Sequence, residues 1–153
     1  MSTTVSKTVA MTPKEMDEFL AEPRISRVST VKKSGAPHVS PAWFYWDGSI
    51  ITFSFGKSRL HIANLKRNPN LEVIVDQGLR PQKGLKVGAQ AVMMEGKAEL
   101  TTNNVREITE IIAKRYLGKD APLYIEPMMN EGRILARLRP NKIITWDFSK
   151  SFR

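Results

Sequence analysis

The chain of 153 residues contains no cysteine and only two histidines, His38 and His61. The absence of cysteine excludes disulfides, thiolate catalysis and cysteine-ligated zinc, and it is compatible with a reducing cytoplasm. Because histidine is sparse too, the sequence offers few ligands for a transition metal. We therefore expect no metal site, and nothing in the sequence pairs the two histidines.

Long hydrophobic runs and familiar catalytic motifs are also absent. No run approaches the roughly 20 apolar residues needed to cross a bilayer, and residues 1–11 lack the apolar core of a signal peptide. There is no G-x-S-x-G, H-E-x-x-H, P-loop or G-x-G-x-x-G pattern, so the catalytic residues stay unassigned. We expect a cytoplasmic protein with no membrane partner, made of a mobile lead-in at 1–11 and one domain at 12–153.

Positive charge is what the chain has in excess, with a formal net charge of +9 at pH 7. Three alternatives account for this excess: nucleic-acid binding, a solvated basic surface, or a groove for a polyanionic small molecule. The cations form no single tract. Their dispersal favours a polyanionic cofactor over a basic nucleic-acid arm, since they recur at Lys57, Arg59, Lys66, Arg67, Arg80, Lys83 and Lys86.

Hydrophobic periodicity and turn signals predict about seven strands and two or three helices. The capping box at Thr12–Glu15 opens the first helix, and the pair Asn104 and Glu107 opens the last. Residues 118–131 suggest an irregular connection. The predicted helices are 13–21, 58–67 and one ending near 117; the predicted strands are 25–32, 37–46, 49–55, 71–76, 88–101 with a bend at Gly96, 133–139 and 142–148. This order favours a largely antiparallel barrel covered by helices.

The segment Gly35–Pro69 carries the strongest functional signal. Asp47-Gly48 suits a tight hairpin turn, and the second strand runs directly into a basic helix. Gly56–Arg59 brings cations, a hydroxyl and backbone N–H groups to that helix start, which suits phosphate. The alternative is a helix cap with solvated cations. The candidate phosphate ligands are Ser54, Lys57, Ser58, Arg59 and His61.

Aromatic and small residues on the strands before this corner suggest a seat for a flat ring. Pro41 and Ala42 leave room for a ring beside Trp43 and Phe44, although proline also marks edge strands. Because side chains alternate across a sheet, at least half of the aromatics at 43–46 belong to the core or an interface. Trp146 either covers the site, clamps a partner subunit or packs the terminal strand.

At these residues the chain resembles the pyridoxamine 5′-phosphate oxidase-like split-barrel flavoproteins. The resemblance covers residues 12–150 and is closest to the branch of flavin- or deazaflavin-dependent oxidoreductases that use coenzyme F420. It is carried by STVKKSGAPHVSPAWFYWDG, FSFGKSRLHIANLKRNPNLEVIVD, MMEGKAEL and RPNKIITWDFSK. It implies an α+β fold, a six-stranded antiparallel split β-barrel (FMN-binding split barrel) with flanking helices.

The resemblance also implies a homodimer with two cofactor sites at the subunit interface. The ring would lie along Pro41–Phe44 and the phosphate at Ser54–His61, with Asp76, Gln77 and aromatics of the other subunit at the border. Ser54 and Arg59 match the family's hydroxyl and cationic phosphate contacts. One departure is His61, where the family usually has lysine; an imidazole binds phosphate less strongly because its charge depends on pH. Lys57 could compensate from the preceding turn.

These features predict an oxidoreductase in which reduced coenzyme F420 gives hydride to an unsaturated small molecule. The coenzyme carries the chemistry, which explains why no catalytic dyad is visible. FMN, which has a shorter and less charged tail, is the alternative cofactor. A non-enzymatic binder of flavin or haem, with His61 or His38 as axial ligand, is a second class. A nucleic-acid-binding module is the third, but no recognition helix supports it.

Overall fold

The computed structural model of the chain describes residues 9–78 and 89–152. Within these residues four α-helices flank eight strands. The helices are α1 Pro13–Ala21, α2 Leu60–Arg67, α3 Val105–Leu117 and α4 Pro122–Asn130, and two 3₁₀ turns span Gly118–Asp120 and Phe148–Phe152. The strands are β1 Ser26–Val31, β2 Pro37–Ala42, β3 Tyr45–Trp46, β4 Ile51–Gly56, β5 Asn70–Gln77, β6 Gln90–Thr101, β7 Arg133–Leu138 and β8 Lys142–Asp147.

All strand pairs are antiparallel and form one curled sheet in the order β2-β1-β5-β6-β7-β4-β3, with β8 added on β6. The long strand β6 joins the two halves. It pairs with β8 over Gln90–Glu95 and with β7 over Ala98–Thr101. A Cβ on Gly96 would lie 3.0 Å from Leu138 Cδ1 and 3.4 Å from the Arg139 carbonyl oxygen, so the glycine lets the neighbouring chain pack closely where the strand partner changes. The α+β split barrel predicted from the sequence is confirmed, with eight strands in the described chain instead of six.

The predicted strand 37–46 is divided into two. Its first part, β2, pairs with β1, whereas Tyr45 and Trp46 pair with β4. The chain therefore leaves one part of the sheet at Trp43 and enters another. The predicted hairpin turn is present: Gly48 has a φ of +97°, and the Asp47 carboxylate accepts hydrogen bonds from the backbone N–H groups of Ser49 and Ile50. The alternation of side chains along the sequence could not show that this segment pairs with two different strands, β1 and β4.

The core lies inside the curled sheet and is closed by α1 and α2. Its largest fully buried side chains include Phe44, Phe53 and Ile62. The predicted capping box starts α1, since Thr12 and Glu15 bond each other's backbone N–H groups. Helix α1 then places Phe19 and Leu20 against the core. In the described residues no helix has the length and apolarity of a membrane span.

Two predictions about the helices are wrong. Residues 118–131 are mostly helical, because α4 follows the 3₁₀ turn and buries Ile125 against Ala113 and Ala121. Proline starts this helix and also lies within it. Because an internal proline normally argues against a helix, the sequence pattern did not predict one here. The proposed cap of α3 is not formed either: Asn104 has a left-handed φ of 56° and its side chain makes no capping bond.

The interior face of α3 differs in part from the apolar stripe that the sequence periodicity predicts for this helix at Val105, Ile108, Ile111 and Ile112. Of Val105, Ile108, Ile111 and Ile112, only Ile112 is fully buried, and the other three are half-buried. The stripe is shifted, so that Thr109, Ile112 and Ala113 face inwards. Three of the cations noted in the sequence, Arg80, Lys83 and Lys86, and most of the predicted lead-in lie outside the described residues.

Candidate cofactor site

A cavity of about 400 Å³ lies between the sheet and the helices α2, α3 and α4. This volume is within the range of small-molecule sites. Strands β2 and β4 supply one side, and α3 supplies the other. The lining residues are Ile25, Ser40, Pro41, Ala42, Trp43, Ser54, Phe55, Gly56, Arg59, His61, Thr109, Ile112, Ala113, Met128 and Arg133.

The end of β2 forms a mostly apolar wall of this cavity. Strand β2 lies at the edge of the sheet, where Pro41 is tolerated because its missing N–H faces no further strand. The Trp43 ring, just beyond the strand, stacks on Tyr116 of α3 with centroids 4.9 Å apart and planes within 5°. The Tyr116 hydroxyl donates to the carbonyl of Arg24 and accepts from the N–H of Phe44. The wall is thus held by stacking and by hydrogen bonds.

The opposite end of the cavity is cationic. Arg59 is the N-cap residue of α2, and Arg133 begins β7, directly opposite Gly56 of β4. A Cβ on Gly56 would lie 3.7 Å from Arg59 Nε and 3.8 Å from Arg133 Nη1, so both guanidinium groups converge on this glycine. Burial, more than Arg59, lowers the pKa of Arg133, while the Glu131 charge opposes the shift.

The Ser54 side chain joins the sheet to α3 beneath these cations. Its Oγ lies 2.7 Å from Thr109 Oγ1 and accepts a hydrogen bond from Arg133 Nε at 3.1 Å. Arg133 Nη2 donates to the Ser54 carbonyl as well. The predicted hydroxyl is therefore at the cavity, and it already has two side-chain partners.

His61 is buried at the same cavity, with 9% of its surface exposed. Its ring packs against Phe55 with centroids 4.0 Å apart, and its Nε2 has no hydrogen-bond partner in the described chain. Burial first, and then the charges of His38, Arg59 and Arg133, lower the pKa of His61 to about 4. At neutral pH the imidazole is therefore uncharged, and it does not replace the positive charge of a lysine.

Six of the predicted cofactor residues meet at this cavity, and the other six do not line it. Lys57 and Ser58 are exposed on the loop before α2. Phe44 is completely buried in the core. Asp76 and Gln77 border a neighbouring cavity of about 450 Å³ that shares Ile25 with the first. Trp146 lies half-buried on β8, opposite Ala91.

The residues present fit a ligand that has a flat ring and an anionic tail. The apolar wall and the cationic end supply the two environments. In addition, two of the buried polar atoms without a partner in the described chain, Ser40 Oγ and His61 Nε2, belong to lining residues. Buried polar groups are usually paired, so a polar ligand would satisfy them. The described residues hold no cluster of three or more metal-ligating side chains.

Residues 12–147 match the family described as pyridoxamine 5′-phosphate oxidase. The chain belongs to this family. It is a family of flavin-binding oxidoreductases with the split-barrel fold, and its members bind flavins or deazaflavins. No curated protein matches the chain in sequence.

Solved structures of this family's fold are similar to the chain at low identity. A conserved hypothetical protein, Rv2991 from Mycobacterium tuberculosis, has 21% identity and a TM-score of 0.81, covering 97% of this chain and 92% of its own. HutZ, a haem storage protein from Vibrio cholerae, has 19% identity and a TM-score of 0.68, covering 88% and 93%. An F420 reductase has 22% identity and a TM-score of 0.62, covering 83% and 94%. These likenesses show the fold.

For this member of the pyridoxamine 5′-phosphate oxidase family, sequence reasoning missed the contributions of α3, α4 and β7. Thr109, Met128 and Arg133 reach the cavity from segments more than 50 residues beyond Ser54. A local pattern cannot reveal them, because Arg133 is positioned by the pairing of β4 with β7, whereas Thr109 and Met128 are positioned by the packing of α3 and α4. The one usable signal is Gly132-Arg133, a turn glycine followed by a cation at the start of a strand.

Proposed function

We propose that the cavity binds coenzyme F420 and that the protein is a reductase of an unsaturated small molecule. The observation that carries this proposal is one cavity with a flat apolar wall at Pro41–Trp43 and a cationic end at Arg59. When bound, the coenzyme supplies the hydride chemistry, and the protein supplies binding and orientation. The similar fold of an F420 reductase supports the proposal.

The chain's own residues have binding and shielding roles in this proposal. Pro41, Ala42 and Trp43 hold the ring, and Arg59 holds the phosphate by charge-assisted hydrogen bonds. Ile112 and Met128 line the cavity with apolar groups, which favours exclusion of water beside the ring. No carboxylate is among the described lining residues, so we assign the substrate proton to solvent.

The choice of F420 over FMN rests on charge. The chain has a formal net charge of +9, and the phosphate and glutamate tail of F420 is more anionic than that of FMN. FMN remains the alternative, because the wall and the arginines suit both rings and both phosphates. The two cofactors differ in their tails. The longer anionic tail of F420 would extend beyond the cavity and would need basic surface there, whereas the shorter tail of FMN would not.

A homodimer that completes the cavity is also part of the proposal. Ile25 lines the cavity and Leu60 lies between two lining residues, and the two residues are 40% and 51% exposed. A second copy would cover these apolar surfaces and close the cofactor site. Light scattering should give twice the mass of one chain, and a monomer that binds cofactor with full affinity would contradict this part.

Haem binding is the second candidate. His61 is neutral at pH 7 and has an unpartnered Nε2, as an axial ligand requires. However, this nitrogen is buried from solvent, so the ring would have to turn before iron could reach it. The fold likeness to a haem storage protein keeps this candidate open to test.

The test is a ligand panel on the purified protein, followed by thermal unfolding and absorbance. We expect F420 to raise the unfolding temperature most and FMN less. At a ligand concentration of about 100 times Kd, the stabilisation is about 2.7 kcal/mol. If FMN alone stabilises the protein, the cofactor is FMN and the proposal of F420 is wrong. A Soret band on adding haem, with neither FMN nor F420 bound, would make haem the ligand.

A further inference from the structure

We propose that Arg133 is a second anion-binding residue of the cavity and that Ser54 positions it instead of binding the phosphate itself. Neither role follows from the sequence motif, which points to Ser54 and Arg59. The inference rests on the proposed function only in taking the anion to be the phosphate of a cofactor. The anion site itself follows from the arrangement of the two arginines.

The pairing of β4 with β7 brings the two cations together. Gly56 lies opposite Arg133 in the register, and both guanidinium groups approach the position of its absent Cβ. Across residues 9–78 and 89–152, neither arginine has a carboxylate partner in an ion pair. Glu131, the acidic neighbour that acts on Arg133, is exposed and forms none. Arg133 is half-buried and Arg59 is exposed. Two like charges this close to one glycine repel each other, and an anion between them offsets the repulsion.

The hydrogen bonds of Ser54 support its positioning role. A serine hydroxyl has one donor and two acceptor positions. Thr109 Oγ1 and Arg133 Nε occupy two of the three, and the Ser54 carbonyl holds Arg133 Nη2. These bonds fix the plane of the guanidinium while Nη1 has no protein partner in the described chain. Arg133 therefore keeps a free, oriented donor on the side of Gly56.

The chemistry that fits this arrangement is a phosphate monoester or free phosphate. Guanidinium groups offer planar pairs of donors that match phosphate oxygens. Arg59 and Arg133 together supply two positive charges, which suits a dianion better than a carboxylate. The Thr109 contact also couples the site to α3, because Ser54 is shared between Arg133 and that helix.

The test compares inorganic phosphate, FMN and riboflavin on the intact protein. We expect phosphate to raise the unfolding temperature more than chloride at equal ionic strength, and FMN to bind more tightly than riboflavin. Arg133→Gln should abolish the phosphate effect and weaken FMN binding about 10- to 100-fold, with riboflavin unchanged. Arg139→Gln is the matched control, since it removes an exposed arginine just beyond the other end of β7.

Retention of the phosphate effect in Arg133→Gln would overturn the inference, as would equal losses for FMN and riboflavin. Absence of any phosphate effect in the unchanged protein would overturn it too. A phosphate effect that depends on Arg133, in a protein that binds no flavin or F420, would keep the anion site and refute the proposed function.

Variants of Ser54 test the positioning role. They also test the anion site if the Arg133→Gln variant does not fold. Ser54→Ala should weaken phosphate and FMN binding several-fold while riboflavin binding is kept, and Ser54→Thr should restore much of the loss. Phosphate and FMN affinities that are unchanged in Ser54→Ala would refute the positioning role. Unchanged phosphate affinity in both Ser54→Ala and Arg133→Lys would refute the site as well.

Discussion

At the scale of single residues, His61 is held as a neutral imidazole in a cationic part of the cavity. The ring packs on Phe55, and its burial, more than the charges of His38, Arg59 and Arg133, opposes its protonation. Protonation would place a third positive charge beside the two arginines. His61 is therefore suited to hydrogen bonding with a neutral polar group of the ligand, whereas the arginines suit the anionic group.

A pH dependence of stability follows from this environment. The pKa of His61 is about 4 in the folded chain, below the value of about 6.5 for an unfolded histidine. The unfolded chain therefore binds the proton more tightly, so this stabilisation is present above pH 6.5 and is lost as the pH falls towards 4. In denaturant unfolding, the free energy of unfolding of the unchanged protein should fall more steeply than that of His61→Gln as the pH falls from 6.5 to 4. Parallel pH profiles for the two proteins would contradict the burial of a neutral imidazole.

The residue types of the site could be predicted better than their roles. Arg59 and His61 line the cavity, as the sequence pattern indicated, whereas Lys57 and Ser58 are exposed and do not line it. Helix α2 begins at Leu60, two residues later than predicted, so Ser58 does not cap it. The position of a helix start within two residues decides which side chains face the cavity, and that precision is beyond sequence patterns.

At the scale of elements, the capping box of α1 gives a simple stability prediction. Thr12→Ala removes the hydroxyl that accepts from the Glu15 N–H, so the free energy of unfolding should fall by about 1 kcal/mol. Thr102→Ala is the control, because Thr102 is exposed and its side chain makes no hydrogen bond in the described structure. Urea unfolding checks both, and equal losses would contradict the role of the cap.

Tyr116 gives a second prediction, for the contact between α3 and the wall of the cavity. Tyr116→Phe keeps the stacking on Trp43 but removes the hydroxyl that bonds Arg24 and Phe44. Two backbone groups lose a partner, so the free energy of unfolding should fall by about 1–3 kcal/mol. Cofactor affinity should change little, because the wall remains stacked. A large loss of affinity without a loss of stability would instead make the hydroxyl a ligand contact.

Helices and strands whose bounds are set by their own sequence were predicted well. Those whose bounds depend on packing or pairing with distant segments were not. Helix α1 has the predicted bounds because its capping box and its proline lie in its own sequence. The predicted strand 37–46 is two strands because β1 and β4, distant in sequence, each pair with one part. Helix α4 is stabilised by packing on α3, which its own prolines obscure.

At the scale of the whole molecule, the site is made by pairing distant parts of the chain. Ser54, Thr109 and Arg133 are joined by hydrogen bonds across 55 and 79 residues of sequence. The family resemblance could supply the fold and the phosphate segment, but it could not supply the contacts of this particular α3. The cavity therefore became visible only in the folded structure.

The central claim is tested most directly by the dissociation constant for coenzyme F420, measured from its fluorescence. We predict saturable binding of one coenzyme per chain in the unchanged protein and in Arg139→Gln. Arg59→Gln should bind about 10- to 100-fold more weakly, since one charge-assisted contact with the phosphate is lost. No saturable binding to the unchanged protein, or the same dissociation constant in Arg59→Gln, would contradict the account.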